Sequence, residues 1–125
     1  MQCGDTLLIP APGMGVTPHL WILAMDPVTD TQLCIIVNVT TLRNSRDQTV
    51  VLRKGEHPFV THDSAVFYGD AQIVDVRQLH ADVAARTAQT RERCSPEVIR
   101  LVRDGLTASP FTPKKVLIFF KEFGR

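Results

Sequence analysis

The sequence has few cysteines, no long apolar segment, and no lysine or arginine before residue 43. Its three cysteines, Cys3, Cys34 and Cys94, are an odd number without CxxC spacing, so they predict neither a disulfide framework nor a zinc site. The longest apolar run, residues 20–25, is far shorter than the roughly 20 residues that a membrane-spanning helix needs. The first five residues include an acid and no base, which is not typical of a secretory signal peptide. We therefore expect a cytoplasmic protein that does not enter a membrane.

The remaining composition is typical of a folded domain. With 44% hydrophobic and 22% charged residues in a chain of 125, there is apolar surface for one core, and residues 1–125 are predicted to form a single domain. The net charge of +1 is unevenly distributed. Residues 1–42 contain three acids and no base, whereas residues 43–125 contain 14 bases and 10 acids, a charge of +4. The later segment could display a basic face or a mixed, solvated surface.

Short runs of β-branched and apolar residues predict strands in the first part of the chain. The strongest is Leu33–Thr41, and Cys34 inside it is predicted to be an inert core residue. Further strands are predicted at residues 6–9, 19–25, 49–53, 59–60, 64–68 and 71–76. Several short strands at close spacing favour a small barrel or sandwich, over about residues 4–80, rather than a parallel sheet.

Helices are predicted in the last part of the chain, over about residues 95–123. Residues 80–94 have no strong apolar period and are predicted to be a loop with short regular pieces. Ser95 and Pro96 suit the N-cap and first position of a helix that ends at Ser109. Thr112 and Pro113 repeat that pairing before a second apolar stripe. The stripe predicts core or dimer packing rather than a cofactor site, and it consists of Val116, Phe119, Phe120 and Phe123.

The sequence contains no strong catalytic or cofactor motif. It has no glycine-rich phosphate loop, GxSxG, HExxH or EF-hand pattern. The pair Gly13 and Gly15 lacks a third glycine and a following helix, so it predicts a loop and not a dinucleotide site. We expect neither a metal ion nor a nucleotide cofactor.

Three histidines are candidates for acid–base chemistry. Imidazoles titrate near neutrality, so His19, His57 and His62 could transfer protons without a metal. Two simpler interpretations stay open. The stretch from His62 to Ser64 could be a capped turn, and His57, which precedes a proline, could be an exposed loop residue.

Two threonines at the end of the strongest strand are open to two interpretations as well. Thr40 and Thr41 could be ordinary strand-end residues, since threonine favours strands. Alternatively, their hydroxyls could bind a phosphate oxygen, with Arg43 adding positive charge.

Four stretches resemble the PemK/MazF-like toxins, which are small SH3-like barrels with a C-terminal helix. The residues that carry the resemblance are Gly4–Ile9, Pro18–Leu23, Cys34–Thr41, and Ala71–Val76 followed by Ser95–Val98. Together they are spread over most of the chain. Members of that family are dimeric ribonucleases of bacterial toxin–antitoxin pairs, so the resemblance implies a mainly β fold of this type with C-terminal helices.

The resemblance implies a metal-independent endoribonuclease that cleaves single-stranded RNA by attack of a 2′-hydroxyl on its own phosphate. In this sequence we assign the acid and base to His19 and either His57 or His62. His57, His62 and Ser64 have no counterparts in the family, which fits a divergent member with a relocated site. Thr40 and Thr41 would hold the phosphate. Arg43 would neutralise the developing charge, and further RNA contacts would come from Arg46 and Ser64. The implied partners are RNA, a second copy of the chain, and an antitoxin whose disordered tail crosses the same groove.

One departure from the family pattern concerns charge at the cleavage site. Where the family has an arginine before the proline, this sequence has Thr17 before Pro18. Either another residue (His19, Arg43 or Arg46) replaces that charge, or the protein is not such a nuclease. The alternative is a non-catalytic SH3-like module that binds protein or nucleic acid, as in a phage or regulatory system. A third possibility is that the chain is an α+β domain of unknown role. The predicted barrel would then first be wrong at residues 80–94, which have no strong apolar period.

Overall fold

An antiparallel sheet organises the computed structural model, which describes residues 1–10 and 18–125. The expected loop around Gly13 and Gly15 and the family departure at Thr17 lie outside the described residues. Within those residues there are six strands and three α-helices. The strands are β1 (Thr6–Ile9), β2 (His19–Leu23), β3 (Leu33–Thr41), β4 (Val51–Leu52), β5 (Ser64–Asp75) and β6 (Gln89–Arg91). The helices are α1 (Val76–Ala84), α2 (Pro96–Ala108) and α3 (Lys114–Phe123), and a 3₁₀ turn spans Leu42–Asn44.

The strand order is β4-β5-β3-β2-β1-β6, and every neighbouring pair is antiparallel. The sheet curls into a half-barrel, so the protein is mainly β, as the sequence predicts. Among the described helices none is both long and apolar enough to cross a membrane.

The core is centred on β3, which lies between β2 and β5. Its residues 34–39 are all buried, and the prediction that Cys34 is a core residue is confirmed, because its side chain is fully inaccessible. Burial raises the pKa of the Cys34 thiol to about 11. The thiol is therefore held in its unreactive, protonated form near neutral pH.

Two buried polar groups attach the C-terminal helices to the sheet. The Asp47 carboxylate accepts hydrogen bonds from the hydroxyls of Ser109 and Thr49, both at 2.7 Å. The Tyr68 hydroxyl of β5 donates to the carbonyl oxygen of Val102 in α2, at 2.8 Å. The bonds of Ser109 and Tyr68 join residues that are distant in sequence, and they keep β5 in place beside the helices.

Residues 80–94, predicted to be a loop with short regular pieces, contain the last turn of α1 and the three-residue strand β6, joined by turns and irregular chain. The Asp75 carboxylate caps α1 by accepting the Arg77 amide at 2.8 Å, while Val76 and Leu79 are buried on one helical face. β6 is a strand only because it pairs with the free edge of β1. Its three residues have no apolar pattern of their own from which a strand could be predicted.

Several predicted strand boundaries are also corrected. Phe59 lies in a turn and Val60 in irregular chain rather than in a strand, and the predicted strand at 49–53 is reduced to β4. The two short strands predicted at 64–68 and 71–76 are one strand, β5. β5 pairs with β3 on both sides of a shift in register, which lies between Ile36 and Asn38 of β3. This pairing explains why the chain stays extended through Gly69.

The start of α2 is confirmed, whereas that of α3 is corrected. The Ser95 hydroxyl accepts the Val98 amide at 3.2 Å, with Pro96 in the first turn, and α2 ends before Ser109. Thr112 does not cap α3. Its hydroxyl donates instead to the carbonyl oxygen of Leu106, at 2.8 Å. In the predicted α3 stripe Val116 is fully buried, Phe119 and Phe120 pack against the core, and Phe123 is 43% exposed.

Candidate functional site

A groove of about 440 Å³ lies where β2 begins and β3 ends, beside the segment that leads into β5. Five of the predicted site residues line it, namely His19, Thr40, Thr41, His62 and Ser64. The remainder of its lining is mostly apolar and includes Pro18, Leu20, Val39, Pro58, Phe59 and Val60. Residues separated by more than 40 positions in the sequence therefore share one concave surface.

Strand pairing places His19, Thr40 and Thr41. His19 is the first residue of β2, is half-buried, and has its Nδ1 atom 3.4 Å from the carbonyl oxygen of Val39. Thr40 and Thr41 end β3 and are half-buried. Because Thr41 is the register partner of Ser64, the β3–β5 ladder brings a hydroxyl from each strand to the same end of the groove.

A hydrogen-bonded turn carries His62. The Asp63 carboxylate accepts the Lys54 amide and the Arg53 guanidinium, both at 3.0 Å, and these bonds hold the pKa of that carboxyl below its usual value. The Ser64 hydroxyl donates to the His62 carbonyl oxygen at 2.9 Å. This is the capped turn considered as an alternative, but the imidazole of His62 stays exposed and lines the groove.

His57 is not brought into the groove. Its side chain is 2% exposed, so the interpretation as an exposed loop residue is wrong. Its Nδ1 atom accepts the Phe59 amide at 3.0 Å, which leaves Nε2 to donate to the carbonyl oxygen of Glu92 at 2.5 Å. Both ring nitrogens thus bond to backbone groups, and the ring joins the 53–63 segment to the chain beside β6.

Of the two candidate arginines, one lines a cavity next to the groove. Arg43 is exposed and lines a shallow cavity of about 760 Å³ that adjoins the groove through Thr41 and His62. Arg46 is exposed and contributes to neither of these two cavities. The groove itself is lined, in the described part of the chain, by no lysine or arginine. Arg43 is therefore the predicted cation that shares a cavity with residues of the groove.

Four further residues that were not predicted from the sequence belong beside this site, namely Asn38, Trp21, Phe67 and Asp70. They line a second cavity, of about 510 Å³, which shares His19 and Thr40 with the groove. One signal could have revealed it, because Asn38 is a polar residue inside the otherwise apolar run of β3. Asn38 is 6% exposed and donates its amide to the Asp70 carboxylate at 3.2 Å.

The groove presents two imidazoles and four hydroxyls, with one guanidinium at its border. Imidazoles can take up and release protons near neutral pH, and hydroxyls can donate to an anionic oxygen. Among residues 1–10 and 18–125, no three His, Cys, Asp or Glu side chains are grouped as metal ligands. No protein-family model and no curated protein matches this chain.

Proposed function

We propose that this protein is a metal-independent endoribonuclease with a PemK/MazF-like, SH3-like barrel that cleaves single-stranded RNA in the cytoplasm. The observation that carries the proposal is the groove, where two imidazoles and three hydroxyls from β2, β3 and the 62–64 turn meet. Cleavage of RNA by its own 2′-hydroxyl needs a base, an acid and donors to a phosphate oxygen. The side chains of the groove can provide these groups.

In the proposed reaction, one of His19 and His62 takes the proton of the 2′-hydroxyl as its oxygen bonds to phosphorus. The other protonates the 5′-oxygen as the bond from phosphorus to that oxygen breaks. The products are a 2′,3′-cyclic phosphate and a 5′-hydroxyl end. His57 has no part in this proposal, since its ring nitrogens are bonded to the backbone.

The hydroxyls of Thr40 and Thr41 would donate to the non-bridging phosphate oxygens. Ser64, whose hydroxyl donates to the His62 carbonyl oxygen, would contact the RNA as an acceptor. Arg43 would approach from the adjoining cavity. Its guanidinium would offset the negative charge that develops on the non-bridging oxygens of the reacting phosphate. That cavity continues the groove past Thr41 and His62, so we propose it as the path of the RNA backbone, with Arg46 contacting RNA further along.

We propose two protein partners, a second copy of the chain and an antitoxin. The chain would act as a homodimer, and an antitoxin would inhibit it by laying a disordered segment across the groove. A lining that is mainly apolar with a few hydroxyls suits an extended peptide as well as RNA.

One observation favours a second candidate function, a non-catalytic SH3-like module that binds protein or nucleic acid. No lysine or arginine lines the groove among the described residues, and the whole chain carries a net charge of only +1. A nuclease whose rate depends on stabilising phosphate charge would be expected to have more positive charge at this place.

The test is cleavage of a defined single-stranded RNA by the purified protein in excess EDTA, with analysis of the product ends. We expect cyclic phosphate ends from the wild type and a loss of at least about 100-fold in rate for His19→Ala and for His62→Ala. Thr40→Ala should be slower by about tenfold or more. His80→Ala is the matched control, since His80 is exposed on α1 and lines none of these cavities.

Intact RNA with a folded wild-type protein would overturn the nuclease and favour the binding module. Cleavage that persists in all three groove variants would keep the nuclease but reject this site.

A further inference from the structure

The second cavity has a row of three side chains as its floor. Trp21 of β2 and Phe67 of β5 are the two register partners of Asn38 in β3. Direct register partners point to the same face of a sheet, so an aromatic ring lies on each side of the Asn38 amide. All three residues line the cavity of about 510 Å³.

A large irregularity in β5 forms the wall of this cavity. Ile36 pairs with Gln72 and Asn38 with Phe67, so the four residues 68–71 of β5 stand opposite the single residue Val37. Bulges of this kind redirect side chains and are frequent beside functional sites. Here the bulge returns Asp70 toward β3, where its carboxylate accepts the Asn38 amide at 3.2 Å.

One buried polar atom at this place has an unmet hydrogen bond. Asn38 is 6% exposed, and its Oδ1 atom has no hydrogen-bond partner among residues 1–10 and 18–125. Buried acceptors are nearly always paired, because an unpaired one costs stability. The amide is oriented by its bond to Asp70, which leaves Oδ1 as an acceptor beside a carboxylate that can accept further bonds.

We infer that this cavity is a guanine-binding subsite, for the base of the nucleotide whose phosphate lies in the groove. The inference rests on the proposed function, and it specifies the RNA sequence that the same site would select. Among the four RNA bases, guanine alone presents two adjacent donors, N1–H and the N2 amine, on its Watson–Crick edge. Those donors match the carboxylate of Asp70 and the Oδ1 atom of Asn38, two acceptors side by side.

The other three bases match this pair of acceptors less well. Adenine and cytosine place an acceptor nitrogen beside their single amine, and uracil has one N–H between two carbonyls. Each would set at least one acceptor against an acceptor of the protein, which leaves a buried polar atom unpaired. Trp21 and Phe67 would stack on any base, so they provide affinity, whereas Asn38 and Asp70 provide selectivity.

The distance between the subsite and the reacting groups suits one nucleotide. His19 and Thr40 lie two residues along β2 and β3 from Trp21 and Asn38, on the same face and about 7 Å away. Both also line the second cavity. A phosphate held beside His19 and Thr40 would therefore place its own base in the aromatic row.

The structure contains a reporter for this subsite, because Trp21 is the only tryptophan of the chain. We would titrate guanosine 3′-monophosphate against the protein and follow Trp21 fluorescence, in parallel with the 3′-monophosphates of adenosine, cytidine and uridine. A saturable change with a preference of about tenfold or more for guanosine is expected. Asp70→Asn should remove that preference, whereas Asp104→Asn on α2 should keep it. Asp70 and Asp104 are both exposed, so both variants should fold.

Cleavage mapping on an RNA of mixed sequence distinguishes this inference from the proposed nuclease. Selective binding of the guanosine nucleotide without cleavage would support the subsite and reject the nuclease. Cleavage without guanine at the cut, together with an unchanged Trp21 signal, would overturn the subsite and keep the nuclease. An equal response to all four nucleotides would overturn guanine selectivity, and neither binding nor cleavage would overturn both proposals.

Discussion

A Cβ atom on Gly105 would lie 1.9 Å from the hydroxyl oxygen of Tyr68, a distance that no side chain could tolerate. α2 crosses β5 at this point, and the Tyr68 hydroxyl donates to Val102, three residues earlier in the helix. Judged by helix propensity alone, Gly105 weakens α2 by about 1 kcal/mol relative to alanine. In the structure it is the reason that α2 can approach β5, the strand whose first residue, Ser64, lines the groove.

Replacing Gly105 by alanine is therefore expected to destabilise the protein, although alanine is the better helix former. Overpacking should lower the free energy of unfolding by about 2–3 kcal/mol, measured by urea denaturation. Thr107→Ala, at an exposed position of the same helix, is the control and should change it by less than about 0.5 kcal/mol. Adding Tyr68→Phe to Gly105→Ala should restore part of the loss, because it removes the nearest clashing atom. A Gly105→Ala protein as stable as the wild type would contradict this packing.

Alkaline pH should weaken the fold through buried groups that cannot ionise without cost. Burial raises the pKa of Cys34 and of Cys94 to about 11, and burial, together with the nearby carboxylates of Asp47 and Asp104, raises the pKa of Tyr68 well above its usual range. A raised pKa in the folded state means that the contribution to stability is complete below the unfolded pKa and is lost as pH rises above it. The loss should begin near the ordinary thiol pKa of 9.0 and increase above the tyrosine value of about 10.

Tyr68→Phe isolates the tyrosine part of this effect, since Tyr68 is the only tyrosine of the chain. At neutral pH the variant should be less stable by about 1 kcal/mol, because it loses the bond to Val102. Above a pH of about 10 its stability should decline less steeply than that of the wild type. Urea unfolding across this pH range measures both differences. Parallel curves for the two proteins would show that Tyr68 ionises freely in the fold.

His57 and His62 both lie in residues 53–63, but replacing them should have opposite effects on stability and on RNA cleavage. His57→Ala removes a buried ring and leaves the Phe59 amide and the Glu92 carbonyl without their partner, so it should cost about 2–4 kcal/mol. His62 is exposed, and its replacement by alanine should change stability by less than about 0.5 kcal/mol while abolishing RNA cleavage. Thermal unfolding of the two variants beside the cleavage assay tests this contrast. Equal stability of both variants would contradict the structural role of His57.

Local capping and hydrophobic pattern were sufficient to predict some elements from the sequence. The start of α2 follows from Ser95 and Pro96, whose capping geometry involves only neighbouring residues. β3 follows from a nine-residue run of mostly apolar and β-branched residues, which has to be buried wherever it lies. His19, Thr40, Thr41 and His62 were candidates from residue type and position alone, and the family resemblance added the reaction assigned to them.

By itself, the sequence determined a mainly β chain, the helix at residues 96–108 and the residue types available for proton transfer and phosphate binding, because these depend on neighbours along the chain. Only the tertiary structure decided which of them meet. It paired β6 with the edge of β1, buried His57, and brought Trp21, Asn38 and Phe67 into one row beside Asp70. The physical reason is strand register: hydrogen bonds between distant segments choose which side chains become neighbours, and a bulge of a few residues changes that choice.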